Sequence, residues 1–322
     1  MIRTLAAAGV AALLFAETAT AQTVGIGTTR GGATAQVTAG ISKIVSEHAG
    51  MQMRPQPMGG TEQYIPVVNA GELEFGVANM MQTVMAFKGT GLNEGQKNDN
   101  LRLVATMMVF ETGLLVRKDS GLNSPADLRG KRVPHGFDSA KLFQFMMTAL
   151  LANGGVSFND VQRVPTIALE PSFASFKEGK VDVVIAAVGS AIVTELNASV
   201  PGGVKYLSLL NTPEAQKRTL DNAPAAYITT LQPAPGFVGL DAPANVVAFD
   251  YMLWAHKNVP DDVVYRVTKA MHEREKDLHD LGPLWRSHAA AKMSRDQGLP
   301  YHPGAIKLFK EKGIWAAGRP ES

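Results

Sequence analysis

The sequence predicts an α/β protein of two lobes with a cleft between them. Strand-like and helix-like segments alternate along the chain, a pattern typical of layered α/β folds. Glycine-rich turns precede four of the helix-like segments, two in each half of the chain. Ligands bind at the carboxyl ends of strands in such folds, so the four turns predict one cleft that both halves share.

The first 21 residues are expected to be a secretory signal peptide. Arg3 supplies a positive charge, residues 5–16 are apolar but too few to span a bilayer, and residues 19–21 read Ala-Thr-Ala, a cleavage site. We expect cleavage after Ala21 and a mature protein of about 300 residues, which is enough for two domains. This mature chain is expected to be periplasmic, with no membrane insertion.

Composition excludes several kinds of site. The chain has no cysteine, which excludes thiol catalysis, CxxC redox chemistry and cysteine-ligated zinc. Its 31 Lys and Arg and 29 Asp and Glu residues are mixed along the chain, whereas a nucleic-acid face groups its cations. Histidines and carboxylates do not cluster at metal-ligand spacing. We therefore expect no nucleic-acid partner, no metal and no cofactor.

The first lobe is predicted to alternate three strands with three helices. Its helices have apolar residues at helical spacing, and its strands are short extended runs bounded by turn residues. A polar loop rich in Gly and Asn follows at residues 89–100. The predicted elements are strand 23–27, helix 35–48, strand 51–57, helix 61–69, strand 75–78 and helix 82–87.

Residues 101–119 are too long an apolar run for one ordinary strand, so we predict two strands with a joint near residues 109–112. The chain would cross there into the second lobe. This places lobe 1 at residues 22–110 plus 250–322 and lobe 2 at residues 111–249.

The second lobe is predicted from the same signals. Ser124 followed by Pro125 is a helix N-cap with proline at the first helical position. Residues 213–245 are rich in Pro and Ala and give no assignment. The remaining predicted elements are strand 131–134, helix 139–153, helix 171–177, strand 181–187, return strand 246–256 and helix 260–278.

The first glycine-rich turn, residues 25–32, reads Gly-Ile-Gly-Thr-Thr-Arg-Gly-Gly. A dinucleotide fingerprint would be G-x-G-x-x-G, and here Arg30 stands where the third glycine belongs. A turn without a ligand is the simpler alternative. The remaining interpretation is a site for an anion or polar solute, because a helix N-terminus offers unpaired N–H groups and a partial positive charge. Thr28, Thr29 and Arg30 would add side-chain donors, and a bidentate pair of Arg30 with a carboxylate would fix its orientation.

The same arrangement recurs in three further turns. Residues 58–64 place two glycines before a helix with Thr61 as the predicted N-cap. Residues 133–141 and 188–191 each place a turn with one glycine before a helix in the second half. Lys141 would contribute a second cation at the start of its helix. One such turn is weak support for a site, whereas four fit a cleft between two lobes.

Four segments resemble a known family. They are residues 298–307 (GLPYHPGAIK), 263–270 (VVYRVTKA), 126–133 (ADLRGKRV) and 59–63 (GGTEQ). Together the chain resembles the TAXI solute receptors of TRAP transporters over essentially its whole mature length, and the HPGA run is the most specific of these segments. The resemblance implies a type II periplasmic-binding-protein fold, with two α/β lobes joined by a hinge. It also implies capture of a small organic solute, often a carboxylate such as an amino acid, dicarboxylate or 2-oxoacid, for delivery to TRAP membrane permease subunits.

The resemblance also implies which loops hold the ligand. Two departures from the family pattern concern the solute: Thr34 and Ala35 replace two aromatic residues, and the acidic Asp138 would oppose a carboxylate. Met80 is expected to contribute to an apolar wall. The candidate ligand-binding residues are Thr28, Thr29, Arg30, Gly31, Gly32, Gly60, Thr61, Glu62, Asn79, Met80, Phe137, Asp138, Ser139, Ala140, Lys141, Gly189 and Ser190.

Three alternatives to this receptor stay open. A receptor of a tricarboxylate-type transporter shares the fold, and a periplasmic ligand sensor could use the same chain. An exported α/β enzyme is the third, but there is no G-x-S-x-G elbow, and His272 and His279 are seven residues apart rather than four as in H-E-x-x-H. We therefore expect no enzymatic activity, and we expect His302 to cap a turn at the last helix.

Overall fold

The structure is a computed structural model that describes residues 22–319. The predicted signal peptide, residues 1–21, lies outside this part of the chain. Eight strands form one mixed sheet, and two more form a separate parallel pair. Within residues 22–319, no helix combines the length and the apolar character that crossing a bilayer requires.

The first lobe alternates strands and helices as predicted, and all six predicted elements are confirmed within a few residues. β1 pairs parallel with β2 and with β3, so the three strands end at the same edge of the sheet. The elements are β1 Gln22–Thr29, α1 Gly32–His48, β2 Met51–Met58, α2 Thr61–Asn69, β3 Phe75–Asn79 and α3 Met80–Lys88.

The second lobe follows β4, which spans Leu101–Arg117. Ser124 forms the predicted cap, although of a short 3-10 helix, Pro125–Leu128, rather than of an α-helix. The unassigned residues 213–245 contain a helix and an edge strand. The elements are β5 Arg132–Gly136, α4 Lys141–Asn153, β6 Gln162–Thr166, α5 Leu169–Lys177, β7 Val183–Ala187, α6 Ala191–Ser199, β8 Val204–Tyr206, α7 Pro213–Asn222, β9 Tyr227–Leu231 and β10 Ala244–His256.

β4 is a single strand of 17 residues, so the predicted joint near residues 109–112 is wrong. β10 pairs with it antiparallel along most of its length, with two register shifts at which β4 has one extra residue, Met107 and Val104. Irregularities of this kind bend a strand pair without interrupting it, which is why an apolar run of this length remains one strand.

The neighbours of β4 and β10 change halfway along the pair. β10 pairs with β9 over residues 244–248 and with β3 over residues 251–255. β4 pairs with β7 over residues 112–116, whereas at Val109 its backbone bonds instead to the hydroxyl of Ser287. The sheet therefore passes from one lobe to the other within this strand pair. The lobe boundaries at 110/111 and 249/250 stay a prediction.

The predicted helix 260–278 is two helices, α8 Asp261–Glu273 and α9 Glu275–Asp280. The backbone of Arg274 leaves the helical region, with φ −113° and ψ 33°, and this ends α8. Helical periodicity continues through the break, so the sequence pattern did not reveal it. The last helix is α10, Pro303–Glu311.

The HPGA run is the start of α10. His302 is the N-cap, as expected, and its Nδ1 accepts a hydrogen bond from the N–H of Gly304 at 3.2 Å. Pro303 occupies the first helical position, where no N–H is needed. A Cβ on Gly304 would lie 2.2 Å from the backbone oxygen of Asp261, so glycine allows α10 to approach α8 closely. The run is therefore a structural element of the fold.

We expect Gly304→Ala to destabilise the protein, because the obstructing atom is a backbone carbonyl that cannot rotate away. Overpacking should lower the free energy of unfolding by about 1–3 kcal/mol, which outweighs the gain in helix propensity of up to about 1 kcal/mol. Urea denaturation of the mature protein measures this difference. Lys43→Ala, an exposed position on α1, is the control and should change stability by less than about 0.5 kcal/mol. Equal stability of Gly304→Ala and wild type would contradict the packing argument.

Candidate functional site

A cavity that is open to solvent lies between the two lobes. Its volume is about 710 Å³ when the solvent space at its mouth is included. Its wall is mainly apolar and comes from both lobes and from the β4–β10 pair. The apolar lining residues are Ala33, Phe110, Leu142, Phe143, Met146, Leu169, Phe173, Ile185, Ala186, Ala187, Ile192 and Phe249. The polar and glycine lining residues are Thr29, Gly31, Thr34, Gly59, Thr61, Asn79, Thr112, Glu170 and Tyr251.

Three aromatic side chains from β4 and β10 stack along one side of the cavity. Phe110 lies directly opposite Phe249 in the strand pair, and Tyr251 projects from the same face because it is two residues further along β10. The ring centroids of Phe110 and Tyr251 are 4.7 Å apart, and those of Phe110 and Phe249 are 5.7 Å apart. This aromatic stack offers a flat apolar surface to a solute.

The opposite wall comes from two helices of the second lobe. Leu142 and Met146 on α4, and Leu169 and Phe173 on α5, are pairs at i and i+4, so each pair lies on one helix face. The expected apolar wall is therefore present, but these four residues contribute to it in place of the expected Met80. Met80 lies buried in α3 and is not among the lining residues.

The N-terminus of α1 opens onto the cavity. Gly31 is its N-cap, no side chain of residues 22–319 caps it, and its first turn holds no acidic residue. The first-turn residues Ala33 and Thr34 line the cavity. The N–H groups of a first turn have no partner within the helix, so α1 presents unpaired donors and a partial positive charge here.

Asn79 places a further donor at the cavity. Its Oδ1 accepts the N–H of Gln82 at 2.8 Å and caps α3. Only 4% of the residue is exposed, it lines the cavity, and its side-chain NH2 has no partner among residues 22–319. This donor is open to the cavity, so a bound acceptor could take the place of water there.

The hydroxyl groups of the wall are partly used within the protein. Thr61 is not the predicted N-cap of α2, because Gly60 occupies that position and the Thr61 hydroxyl donates to Gln82 Oε1 instead. Thr34 Oγ1 and Tyr251 OH lie 2.7 Å apart, so one of these two hydroxyls keeps its proton for another acceptor. Thr29 donates to the backbone oxygen of Gly31 at 2.8 Å.

The only charged side chain among the described residues that line the cavity is Glu170, in the first turn of α5. The expected cations lie elsewhere. Arg30, although between two lining residues, is exposed and not part of the wall, and Lys141 is exposed at the start of α4. Asp138 is also exposed and borders a separate surface groove.

The structure brings four of the predicted site residues to the cavity wall, namely Thr29, Gly31, Thr61 and Asn79. The predicted residues outside the wall are Thr28, Arg30, Gly32, Gly60, Glu62, Met80, Phe137, Asp138, Ser139, Ala140, Lys141, Gly189 and Ser190. The prediction missed the aromatic stack, whose signal was the two-residue alternation of large apolar side chains in β10.

Several predicted loops meet in contacts between the lobes. Glu62 of α2 accepts the N–H of Lys141, the first residue of α4, at 2.7 Å. Gln36 of α1 accepts the N–H of Ala191, the first residue of α6, at 3.0 Å. We call these two bonds the inter-lobe caps, because side chains of one lobe satisfy helix N-termini of the other.

The chain matches the model of the NMT1-like family over residues 26–313 and belongs to that family. Among solved structures, periplasmic binding protein BugD is 14% identical with a TM-score of 0.56, and the match covers 91% of this chain and 98% of that one. MatC of Rhodopseudomonas palustris with bound malate is 19% identical with a TM-score of 0.55 and coverage of 91% and 97%. PhnD1 of Prochlorococcus marinus in complex with methylphosphonate is 12% identical with a TM-score of 0.51 and coverage of 91% and 99%. These likenesses confirm the predicted fold, that of the periplasmic binding proteins.

Burial raises the pKa of Glu62, although the hydrogen bond and the charge of Lys141 oppose this shift. A raised carboxyl pKa means that this form, in which Glu62 contacts Lys141, binds the proton more tightly than a form with Glu62 in water. Closure is therefore expected to be favoured at mildly acidic pH and to weaken as the pH rises from the ordinary glutamate value through the raised pKa.

Glu62→Gln should remove this pH dependence, because the amide oxygen can accept the same N–H and carries no charge. The chain has no cysteine, so dyes on cysteines introduced at the exposed Lys88 and Lys180 would report the distance between the lobes. The mean distance in wild type should shorten between pH 7.5 and pH 5, and that of Glu62→Gln should stay short at both. Glu72→Gln, on an exposed turn of the first lobe, should behave as wild type. A shift of the same size in Glu62→Gln would assign the pH response to another group.

Proposed function

We propose that this chain is a periplasmic receptor that captures one small organic solute between its lobes and does no chemistry on it. The observation that carries this proposal is the cavity itself, whose wall both lobes supply. A solute that contacts both lobes favours the closed form by its higher affinity for that form. Closed and open forms would then differ on the outer surface that a membrane partner contacts.

We further propose that the solute carries a carboxylate at the N-terminus of α1. Unsatisfied donors converge there: the first-turn N–H groups of α1, the side-chain NH2 of Asn79, and one proton of the Thr34–Tyr251 hydroxyl pair. A carboxylate accepts about four hydrogen bonds and suits such a group of donors. The malate and methylphosphonate bound to MatC and PhnD1 are likewise small organic anions, which supports this choice.

The side chain of the solute is proposed to be apolar. Apart from the donors and Glu170, the described wall consists mainly of the aromatic stack and apolar side chains of α4 and α5, and no cation lies among the described lining residues. A second carboxylate would lose its hydration there without a charged partner. Of the classes considered, an amino acid or a 2-oxoacid therefore fits better than a dicarboxylate.

The proposed partner is the membrane permease of a TRAP transporter, and the proposed subtype is TAXI. Support comes from residues 298–307 and the other segments that resemble this family, since the NMT1-like family and the shared fold do not separate the subtypes. We propose that the two lobes move about the middle of the β4–β10 pair, with lobe 1 at residues 22–110 plus 250–322 and lobe 2 at residues 111–249. There Glu111 pairs with Arg286 at 2.7 Å and Asp250 with Arg295 at 2.6 Å.

A solute should stabilise the refolded mature protein, which must first be unfolded to remove any solute that it carries. At 100 times its dissociation constant, one bound ligand adds about 2.7 kcal/mol to the free energy of unfolding. Thermal shift against amino acids, 2-oxoacids, dicarboxylates, sulfonates and sugars measures this. The largest shifts should come from carboxylates with one apolar side chain. Shifts confined to sugars or to cationic amines would contradict a carboxylate site.

Uptake tests the proposed partner. Solute uptake by spheroplasts of the producing organism, with purified receptor added, should stop when an ionophore dissipates the ion gradients. Uptake should continue when ATP is depleted and the gradient is imposed artificially. Dependence on ATP under an imposed gradient would instead indicate a pump of the ABC class.

Asn79→Asp tests the carboxylate position. Aspartate keeps the oxygen that caps α3 but replaces the free NH2 donor by an acceptor, so binding of the best carboxylate should weaken at least about tenfold while the fold is kept. Isothermal titration measures the affinity, and thermal unfolding without solute is the control for folding. Arg30→Ala is the matched comparison: a greater loss for Arg30→Ala than for Asn79→Asp would place the anion at the predicted Arg30 instead.

A further inference from the structure

Glu170 is a charged group of the cavity without a partner among the described residues. It lines the cavity from the first turn of α5 and is half-buried. Within residues 22–319 it forms no hydrogen bond and no ion pair. The α5 N-terminus favours a negative charge at this position electrostatically. The N-cap of α5 is Ala168, and the carboxylate of Glu170 faces the cavity.

Glu170 lies beside the proposed carboxylate position. A Cβ added to Gly31, the N-cap of α1, would lie 3.0 Å from Glu170 Oε1 and 2.9 Å from its Cγ. The carboxylate of Glu170, which comes from the second lobe, therefore closes over the α1 N-terminus of the first lobe. A group that Glu170 contacts must be close to whatever binds the α1 donors.

This proximity limits the solute. A solute with a carboxylate and no positive charge would bring a second anion next to Glu170, in a cavity whose described wall holds no cation, and like charges at short range repel. A solute with an ammonium group next to its carboxylate turns this repulsion into a charge-assisted hydrogen bond. Since Glu170 and the α1 N-terminus are neighbours, a solute that carries these two groups on adjacent carbon atoms fits their spacing.

We propose that Glu170 determines specificity by receiving the ammonium group of an α-amino acid with an apolar side chain. This inference rests on the proposed function and narrows its solute class. The α-carboxylate binds the α1 donors and Asn79, the ammonium group donates to Glu170, and the side chain packs between the aromatic stack and Phe173. An α-amino acid is therefore preferred over the 2-oxoacid with the same side chain.

The test compares matched pairs of solutes: leucine with 4-methyl-2-oxopentanoate, and phenylalanine with phenylpyruvate. The members of each pair share the carboxylate and the side chain and differ in the ammonium group. Isothermal titration of wild type should give a preference for the amino acid. Glu170→Gln should reduce this preference at least about tenfold, by weaker amino-acid binding and stronger 2-oxoacid binding. Glu170→Asp, which keeps the charge, should keep part of the preference.

Controls separate specificity from folding. Thermal unfolding without solute should show that both Glu170 variants fold, and Glu178→Gln, an exposed position after the same helix, should keep the wild-type preference. An unchanged preference in Glu170→Gln, or a wild type that prefers the 2-oxoacids, would overturn this inference and leave the receptor proposal intact. If neither member of any pair binds, both the inference and the carboxylate proposal are wrong. If wild type binds apolar amines without a carboxylate, and Glu170→Gln does not, Glu170 receives an ammonium group, but the carboxylate proposal and the α-amino-acid class are both wrong.

Discussion

The antiparallel pairing of β4 with β10 is the constraint on which the rest of the structure depends. These two strands belong to both lobes, and their other neighbours change halfway along. Beside β10 the neighbour changes from β3 to β9. Beside β4 it changes from the segment that contains Ser287 to β7. The same register that joins the lobes places Phe110 opposite Phe249 and so builds the aromatic side of the cavity. The connection between the lobes and the surface proposed to bind the solute are therefore one element.

Helix N-termini set the polar chemistry of the cleft, and the protein treats them in two ways. Those of α4 and α6 receive side chains of the opposite lobe through Glu62 and Gln36. That of α1 receives no side chain and faces the cavity together with Asn79. Contact between the lobes thus satisfies the unpaired donors of α4 and α6, whereas those of α1 are left for a solute. This arrangement links solute binding to the contact between the lobes.

Local sequence patterns predicted the parts of the fold that local interactions determine. The strand-turn-helix units of the first lobe and the cap at His302 agree with the structure because their signals lie within a few residues. The continuous β4 and the break at Arg274 were missed, since apolar periodicity does not report pairing or a local change of backbone angles. Four predicted site residues line the cavity: the glycine turns indicated Thr29, Gly31 and Thr61, and the family resemblance implied Asn79. Phe110 and Glu170 lie far from these turns in sequence, and only the tertiary fold brings them to the cavity.

The inter-lobe caps have a kinetic consequence for transport. They join protein groups alone, so closure gains energy from them whether or not a solute contributes. A permease that recognises the closed form would then meet two kinds of closed receptor, and those without cargo would compete for its docking surface. At a fixed total amount of solute, raising the amount of receptor should first increase the transport rate and then reduce it, because receptor in excess of the solute adds only forms without cargo. The strength of two hydrogen bonds in the cleft would thereby set the receptor concentration at which transport is fastest.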